Sequence, residues 1–251
     1  MRNELNFWVV GGDMRQAKLA ELLADDGHTV HTYALERTAM MSGVLPAESL
    51  EGAALADCVI LPLPVEGEGS LLNCPLSAGR HPLYEVLSAL RSGQVVCAGR
   101  VSQTAETLAA ERGLILHDYF QREEFAIANA VPTAEGAVQI AMEELPITLH
   151  GARVLVTGYG RVGKLVAARF AALGAKVSVA ARKFSDLAWA EALGYGVEQT
   201  GALVGWLCAY DLVVNTVPAR VLSEKELRDL KPGCLVMDLA SKPGGAGMGF
   251  G

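Results

Sequence analysis

The chain has 251 residues, a length that at about 150 residues per domain favours two small domains over one. Hydrophobic residues make up 51% and aromatics only 6%, so a core can be buried, disorder is excluded, and the Ala, Val and Leu content suits helices packed on parallel strands. Lys and Arg number 21 against 28 Asp and Glu, and the net charge of −7 argues against a general binder of nucleic acid or anionic membranes.

In chain order, residues 7–10 form an expected strand ending at Gly11-Gly12-Asp13, and residues 14–23 carry apolar side chains at helical spacing until Gly27 stops them. Further strands are expected at 28–33, 57–61, 94–97 and 114–116, and helices at 83–90 and 104–111. Pro62 and Pro64 break the third strand at its C-terminal end. Residues 118–131 read as irregular, and Pro132 and Thr133 as the opening of a helix to about residue 144, with Thr133 as N-cap and Glu135 in the first turn. The second half places strands at 153–157, 176–180, 211–215 and 234–238, with a helix over 162–173 ended by Gly174.

Strands alternating with helices imply right-handed βαβ units, and the fold class is α/β with two Rossmann-like, doubly wound parallel-sheet domains. The expected division is an N-terminal, substrate-side domain over 1–131, a connecting helix over 132–150 and a dinucleotide-binding domain over 151–251. A full cofactor domain uses about six strands. Only four can be placed after Gly151, and residues 244–251 are rich in glycine, so the second domain is expected to be incomplete at its C-terminus.

The chemistry is carried by Gly158-Tyr159-Gly160-Arg161-Val162-Gly163, a G-x-G-x-x-G between an expected strand and helix, with a second strand 13 residues later. Gly158 permits the tight turn, Gly160 the approach of a pyrophosphate, and Gly163 close packing of helix on strand. The end of that second strand selects the cofactor. An NAD enzyme places Asp or Glu there to accept from the ribose 2′-hydroxyl, whereas here Ala181 is followed by Arg182 and Lys183. The two cations match a 2′-phosphate, so the expected cofactor is NADP(H). Thr216-Val217-Pro218 follows the strand at 211–215, where the chain would pass over the ribose and nicotinamide.

The first glycine turn, Gly11-Gly12-Asp13-Met14-Arg15, lacks the third glycine and is not expected to hold a second cofactor. Arg15 there either takes a substrate carboxylate or pairs with Asp13. Asn129, Thr133 and Glu135 are expected to line an interdomain cleft, and Ser241 and Lys242, after the last strand, to lie near the nicotinamide; capping and turn chemistry would by itself account for each. All five histidines, the last of them His150, precede the cofactor motif, and no residue stands out as a catalytic acid or base. The five cysteines show no CxxC spacing and read as buried thiols in a reducing compartment, with no metal site expected. No apolar run reaches a membrane span and no cleavage site follows the N-terminal stretch, so the expected location is the cytosol.

Taken together, Gly11-Gly12-Asp13-x-Arg15, the run Gly27-His28-Thr-Val-His31-Thr-Tyr33, Leu61-Pro62-Leu63-Pro64, Asn129-Ala-Val-Pro-Thr-Ala-Glu-Gly136, the Gly158–Gly163 motif, Asn215-Thr-Val-Pro218 and Asp238-Leu-Ala-Ser-Lys-Pro-Gly-Gly245 resemble the dipicolinate synthase A-subunit family of endospore-forming bacteria. The resemblance covers nearly the whole chain to Gly245 and implies oxidation of dihydrodipicolinate, or its hydroxy-tetrahydro precursor, to pyridine-2,6-dicarboxylate during sporulation, in the mother cell. It also implies a flavoprotein-like second subunit, and a homo-oligomer is left open. Two substrate carboxylates need two cationic ends, for which Arg15 and Lys242 are the candidates. Relatives of this kind continue past Lys-Pro-Gly-Gly with further strand and helix, so a truncated chain that binds NADPH with little or no turnover is expected. The alternatives are an NADP-binding regulatory subunit without its own turnover, and a two-domain amino-acid or hydroxyacid dehydrogenase, whose hydroxyacid form needs a His base in the cofactor domain.

Overall fold

A computed structural model of the chain describes residues 4–39 and 41–240; Ser241, Lys242 and the glycine-rich tail lie outside the described residues. The chain divides into two compact units, Met1–Phe125 and Ala126–Gly251.

The first unit carries strands β1 (Asn6–Val10), β2 (Thr29–Tyr33), β3 (Leu45–Pro46), β4 (Cys58–Ile60), β5 (Val95–Ala98) and β6 (Ile115–Asp118), with helices α1 (Met14–Asp25), α2 (Leu83–Ser88) and α3 (Gln103–Ala110). The strands pair in parallel in the order β3-β2-β1-β4-β5-β6, a doubly wound sheet whose order reverses between β1 and β4. Alternating side chains bury both faces: Val9, Val30 and Ile60 pack with Ala20 of α1, while Trp8, Val10, Val59 and Val96 pack with Leu83 and Ala105 on the opposite face.

Helix α4 spans Glu123–Glu144, and the second unit continues with β7 (Arg153–Thr157), α5 (Arg161–Ala172), β8 (Lys176–Ala181), α6 (Phe184–Ala192), β9 (Gly196–Gln199), β10 (Leu212–Asn215), α7 (Glu224–Arg228) and β11 (Leu235–Asp238). These strands are also parallel, in the order β11-β10-β7-β8-β9. Val154 and Val156 of β7 face Phe170 of α5, whereas Leu155 between them faces Leu207 and Leu222.

Three expectations are corrected. First, α4 begins at Glu123, so Pro132 lies inside the helix and Thr133 is not an N-cap. Glu123 and Glu124 suit the positive end of the helix, and Ala126, Ala130, Ala134, Ala137 and Ala141 form a buried stripe that runs through the proline. The stripe outweighs the single backbone donor that Pro132 lacks, and the Thr133 hydroxyl turns back to donate to the Asn129 carbonyl at 3.5 Å. Second, the cofactor unit has five described strands instead of four. The missed one, β9, opens on Gly196, where a Cβ would sit 2.5 Å from Ser178 Oγ, so close approach to β8 selects the residue that looks least like a strand former. Third, the thiols are not buried: Cys58, Cys74, Cys97 and Cys234 are half-buried and Cys208 is exposed. Among the described residues no helix is long and apolar enough to cross a membrane, and no group of three or more His, Cys, Asp or Glu is placed to hold a metal.

Candidate functional site

The glycines of the second unit are required one by one by their contacts. Gly158 ends β7 at φ +92°, and a Cβ on it would lie 2.5 Å from Thr216 Oγ1. A Cβ on Gly163 would fall 2.2 Å from the Gly158 carbonyl oxygen, so only glycine lets α5 start this close to the strand. At Gly160 a Cβ would meet nothing within 4 Å among the described residues, which leaves the backbone there open. Gly160 is the N-cap of α5 and supplies no side-chain bond; the first intrahelical bond runs from the Lys164 N–H to its carbonyl at 2.9 Å. A helix start without a side-chain cap is a natural seat for a phosphate.

The loop opposite is held by a buried polar knot. Asn215, fully buried at the end of β10, accepts from Thr157 Oγ1 at 2.6 Å and from the Val217 N–H at 3.2 Å. Its amide donates to the Val217 carbonyl at 3.0 Å and to Asp238 Oδ1 at 2.8 Å. Thr216 Oγ1 donates to the Thr157 carbonyl at 2.8 Å. The ends of β7, β10 and β11 are thereby tied together, and Thr216-Val217-Pro218 is set beside the glycine turn.

These segments enclose a pocket of about 240 Å³ that brings together Gly158, Tyr159, Gly160, Arg182, Lys183, Thr216, Val217 and Pro218. Arg161, Val162 and Gly163 stand in the first turn of α5 and do not line it: Arg161 is exposed, Val162 packs on the core and Gly163 is buried. Ala181 occupies the position where an acid would take a ribose hydroxyl, and Arg182 and Lys183 are exposed at the pocket edge. Burial, together with Tyr195 and Asp186, pushes the Tyr159 phenol up, so it stays protonated. A glycine turn and a helix start without a side-chain cap suit the pyrophosphate of a nicotinamide dinucleotide.

The sequence reading missed Asp186, Thr200 and Val221, which line the pocket, and Asn215, which braces its loop. For Asn215 a signal existed, since Asn at a strand end followed by Thr-Val-Pro suits the turn in which its side chain accepts from the backbone two residues on. Asp186 stands four residues after Arg182, in the first turn of α6, and nothing in the linear pattern aims it at the pocket.

The first unit builds a similar turn and fills it. Gly11 N–H donates to the Tyr33 carbonyl at 2.8 Å, as Gly158 N–H does to the Ala180 carbonyl at 2.8 Å. Gly12 N–H, however, donates to the Asn73 carbonyl at 2.9 Å, and the start of α1 is closed by a capping box of Asp13 and Gln16. A carboxylate already sits where a pyrophosphate would need to go. Arg15 clasps that carboxylate, with Nε 3.0 Å from Asp13 Oδ1 and Nη2 2.8 Å from Oδ2, and Nη2 also donates to the Leu63 carbonyl at 2.8 Å. Asp13 is partly desolvated, but its bonds to Arg15 hold the carboxyl below its usual range. Arg15 also lines an apolar pocket of about 650 Å³ with Leu19, Ile60, Leu63, Cys97, Tyr119 and Phe125.

The remaining candidates do not converge on the cofactor pocket. Asn129 and Thr133 lie within α4, and Glu135 pairs with Arg169 of α5 at 3.5 Å. Arg169 is eight residues beyond Arg161, which places Glu135 roughly 12 Å along α5 from its N-terminal end.

Residues 6–120 match the family described as the N-terminal domain of the dipicolinate synthase A-subunit, and residues 105–241 match the NAD-binding domain of D-isomer specific 2-hydroxyacid dehydrogenases. The chain is 30% identical to the dipicolinate synthase A-subunit of Bacillus subtilis (strain 168), over 98% of this chain and 84% of that protein. It superposes on the crystal structure of the same B. subtilis A-subunit with a TM-score of 0.83, at 29% identity over 98% of this chain and 84% of that one. Against the dipicolinate synthase A-subunit of Bacillus halodurans the TM-score is 0.85, at 30% identity over 98% and 86% of the two chains.

Proposed function

The chain belongs to the dipicolinate synthase A-subunit family, and on that premise we propose that it is the NADP-dependent dehydrogenase component of such a synthase, forming pyridine-2,6-dicarboxylate from dihydrodipicolinate or its hydroxy-tetrahydro precursor. Its second unit is a nicotinamide-dinucleotide domain of dehydrogenase type. The choice of NADP rests on one observation: Ala181 stands where the ribose-binding acid belongs, and Arg182 and Lys183 follow it at the edge of the glycine pocket. NADP, when bound, supplies the hydride acceptor.

The chain's own residues bind and orient. The start of α5 takes the pyrophosphate, Arg182 and Lys183 the 2′-phosphate, and Thr216-Val217-Pro218 packs over the ribose and nicotinamide. Arg15, at the β1/β4 switch point of the first unit, is the candidate for a substrate carboxylate. Loss of a hydride and a proton from a dihydropyridine leaves an aromatic ring, so orientation provides most of what the protein must add. Residues 151–251 contain no His to serve as the base of a hydroxyacid dehydrogenase. The partners are the dicarboxylate substrate, in a sporulating cell's cytoplasm, and a flavoprotein-like second subunit.

The test is a fluorescence titration of NADPH and NADH. We expect at least a tenfold preference for NADPH, about 1.4 kcal/mol, which Arg182→Asp with Lys183→Ala erases or reverses. Equal affinities in the parent chain would remove the NADP assignment. Turnover of the dicarboxylate, assayed with and without the second subunit, separates a dehydrogenase from a protein that only binds.

A further inference from the structure

The turn from β8 into α6 brings three charged side chains to the cofactor pocket. Arg182 and Lys183 are exposed at its edge, and Asp186, half-buried in the first turn of α6, lines it with them. The Asp186 N–H donates to the Lys183 carbonyl at 3.1 Å, and Leu187 and Ala190 anchor the helix in the core, so the carboxylate has a fixed place just beyond the second cation. Among the described residues none of the three forms an ion pair. The Asp186 charge is felt inside the pocket, where it adds to burial and Tyr195 in raising the phenol of Tyr159, another lining residue.

Ala181 gives the reason for an acid at this unusual place. Its side chain is 3% exposed and packs in the apolar cluster with Tyr159 and Leu187. A carboxylate on that residue would carry its charge into the cluster, which is costly without a partner. The strand end is thus closed to an acid, while α6 presents one five residues further on. Resting on the reading of this pocket as an NADP site, we propose that Asp186 is a specificity-determining residue: its carboxylate accepts a hydrogen bond from an adenosine-ribose hydroxyl and opposes the 2′-phosphate that Arg182 and Lys183 attract.

Cofactor choice is then a contest within one turn of chain. Two cations favour the phosphorylated ribose, and one carboxylate favours the free diol. Specificity is a difference of two affinities, and Asp186 supplies the repulsive element of that difference. A phosphate monoester carries close to two negative charges at neutral pH, so a single carboxylate facing it separates two ligands that are otherwise identical. An acid in the first turn of a helix also suits the positive end of the helix dipole. That structural role serves both nucleotides alike, and the ratio of their affinities distinguishes it from the role assigned here.

The test titrates NADPH and NADH, by fluorescence, against the full chain and against Asp186→Asn, which keeps the shape of the side chain and removes its charge. The preference for NADPH over NADH should rise at least about fivefold in the variant, the scale expected when one charge facing a phosphate is removed from a partly solvated site. The gain in NADPH affinity should shrink as salt is raised toward about 1 M, where charges are screened beyond about 3 Å. A preference within about twofold of the parent chain's would overturn the proposal. So would parallel weakening of both nucleotides, which assigns Asp186 to the start of α6, or a gain that salt leaves undiminished. The NADP reading fails separately: equal affinities in the parent chain would remove it, yet Asp186→Asn would still shift the balance toward NADPH, because the charge difference between the two ligands is unchanged.

Discussion

Thr157 Oγ1 donates to Asn215 Oδ1 across 2.6 Å, joining the fully buried ends of β7 and β10. That bond helps set the pocket beside the glycine turn, because Asn215 Oδ1 also accepts from the Val217 N–H while its Nδ2 donates to the Val217 carbonyl and to Asp238. Replacing Asn215 by Leu leaves the Thr157 hydroxyl and the loop amides without this partner. We expect a loss of about 2 kcal/mol in urea unfolding and weaker NADPH binding in the same variant. An unchanged affinity would detach the knot from the site.

Gly160 and Gly163 separate folding from binding. Gly160→Ala places its Cβ in open space, at a φ of −79° that alanine adopts freely, so unfolding should change by well under about 1 kcal/mol while NADPH affinity falls at least tenfold. Gly163→Ala drives a Cβ to within 2.2 Å of the Gly158 carbonyl, and both stability and binding should fall. A Gly160→Ala chain that binds NADPH normally would mean that the dinucleotide does not cross this turn.

Arg15→Ala probes the first unit. Substrate affinity should drop by about tenfold or more with NADPH binding nearly unchanged, because the Arg15 contacts named above lie within the first unit. Isothermal titration with pyridine-2,6-dicarboxylate reads the first quantity and NADPH fluorescence the second. Parallel loss of both would assign Arg15 to the fold through its clasp on Asp13.

Asp211 gives a pH dependence with a defined sign. Burial alone would raise its pKa, but the Arg153 N–H at 2.7 Å and the ion pair with Lys231 bring it below its ordinary value near 3.8. A carboxylate depressed in the folded state contributes stability that is present above the unfolded pKa and lost as pH falls through the folded one. Asp211→Asn should therefore cost about 1 kcal/mol at pH 7, the partly exposed lysine tempering the value, and the difference should close as the pH is taken below 3.8. A constant difference across that range would rule out the carboxylate charge as its source.

The sequence revealed the parts of this molecule whose chemistry is local. G-x-G-x-x-G reads directly because its spacing between a strand and a helix is itself the signal, with Gly163 required by the Gly158 carbonyl five residues before it, and Ala181-Arg182-Lys183 reads because a strand end has a fixed place in a doubly wound sheet. Whatever depends on a distant partner stayed hidden. Gly196 belongs to a strand only because Ser178 leaves no room for a side chain. Pro132 sits in a helix only because an alanine stripe on both sides of it is buried. The contact of Cys58 with Cys97 spans 39 residues and exists only once β4 and β5 are in register.

The contrast between the two glycine turns also divides how the molecule answers to its ligand in a calorimeter. Asn73 and Asp13 act as a permanent internal ligand for the first turn, so its free energy is independent of the dinucleotide concentration. The start of α5 has no side-chain cap of this kind at Gly160, and a dinucleotide at a hundred times its dissociation constant would add about 2.7 kcal/mol to the stability of the chain that binds it. On the proposed function, the melting temperature of the chain is expected to rise with dinucleotide concentration, which thermal scans at increasing NADPH check.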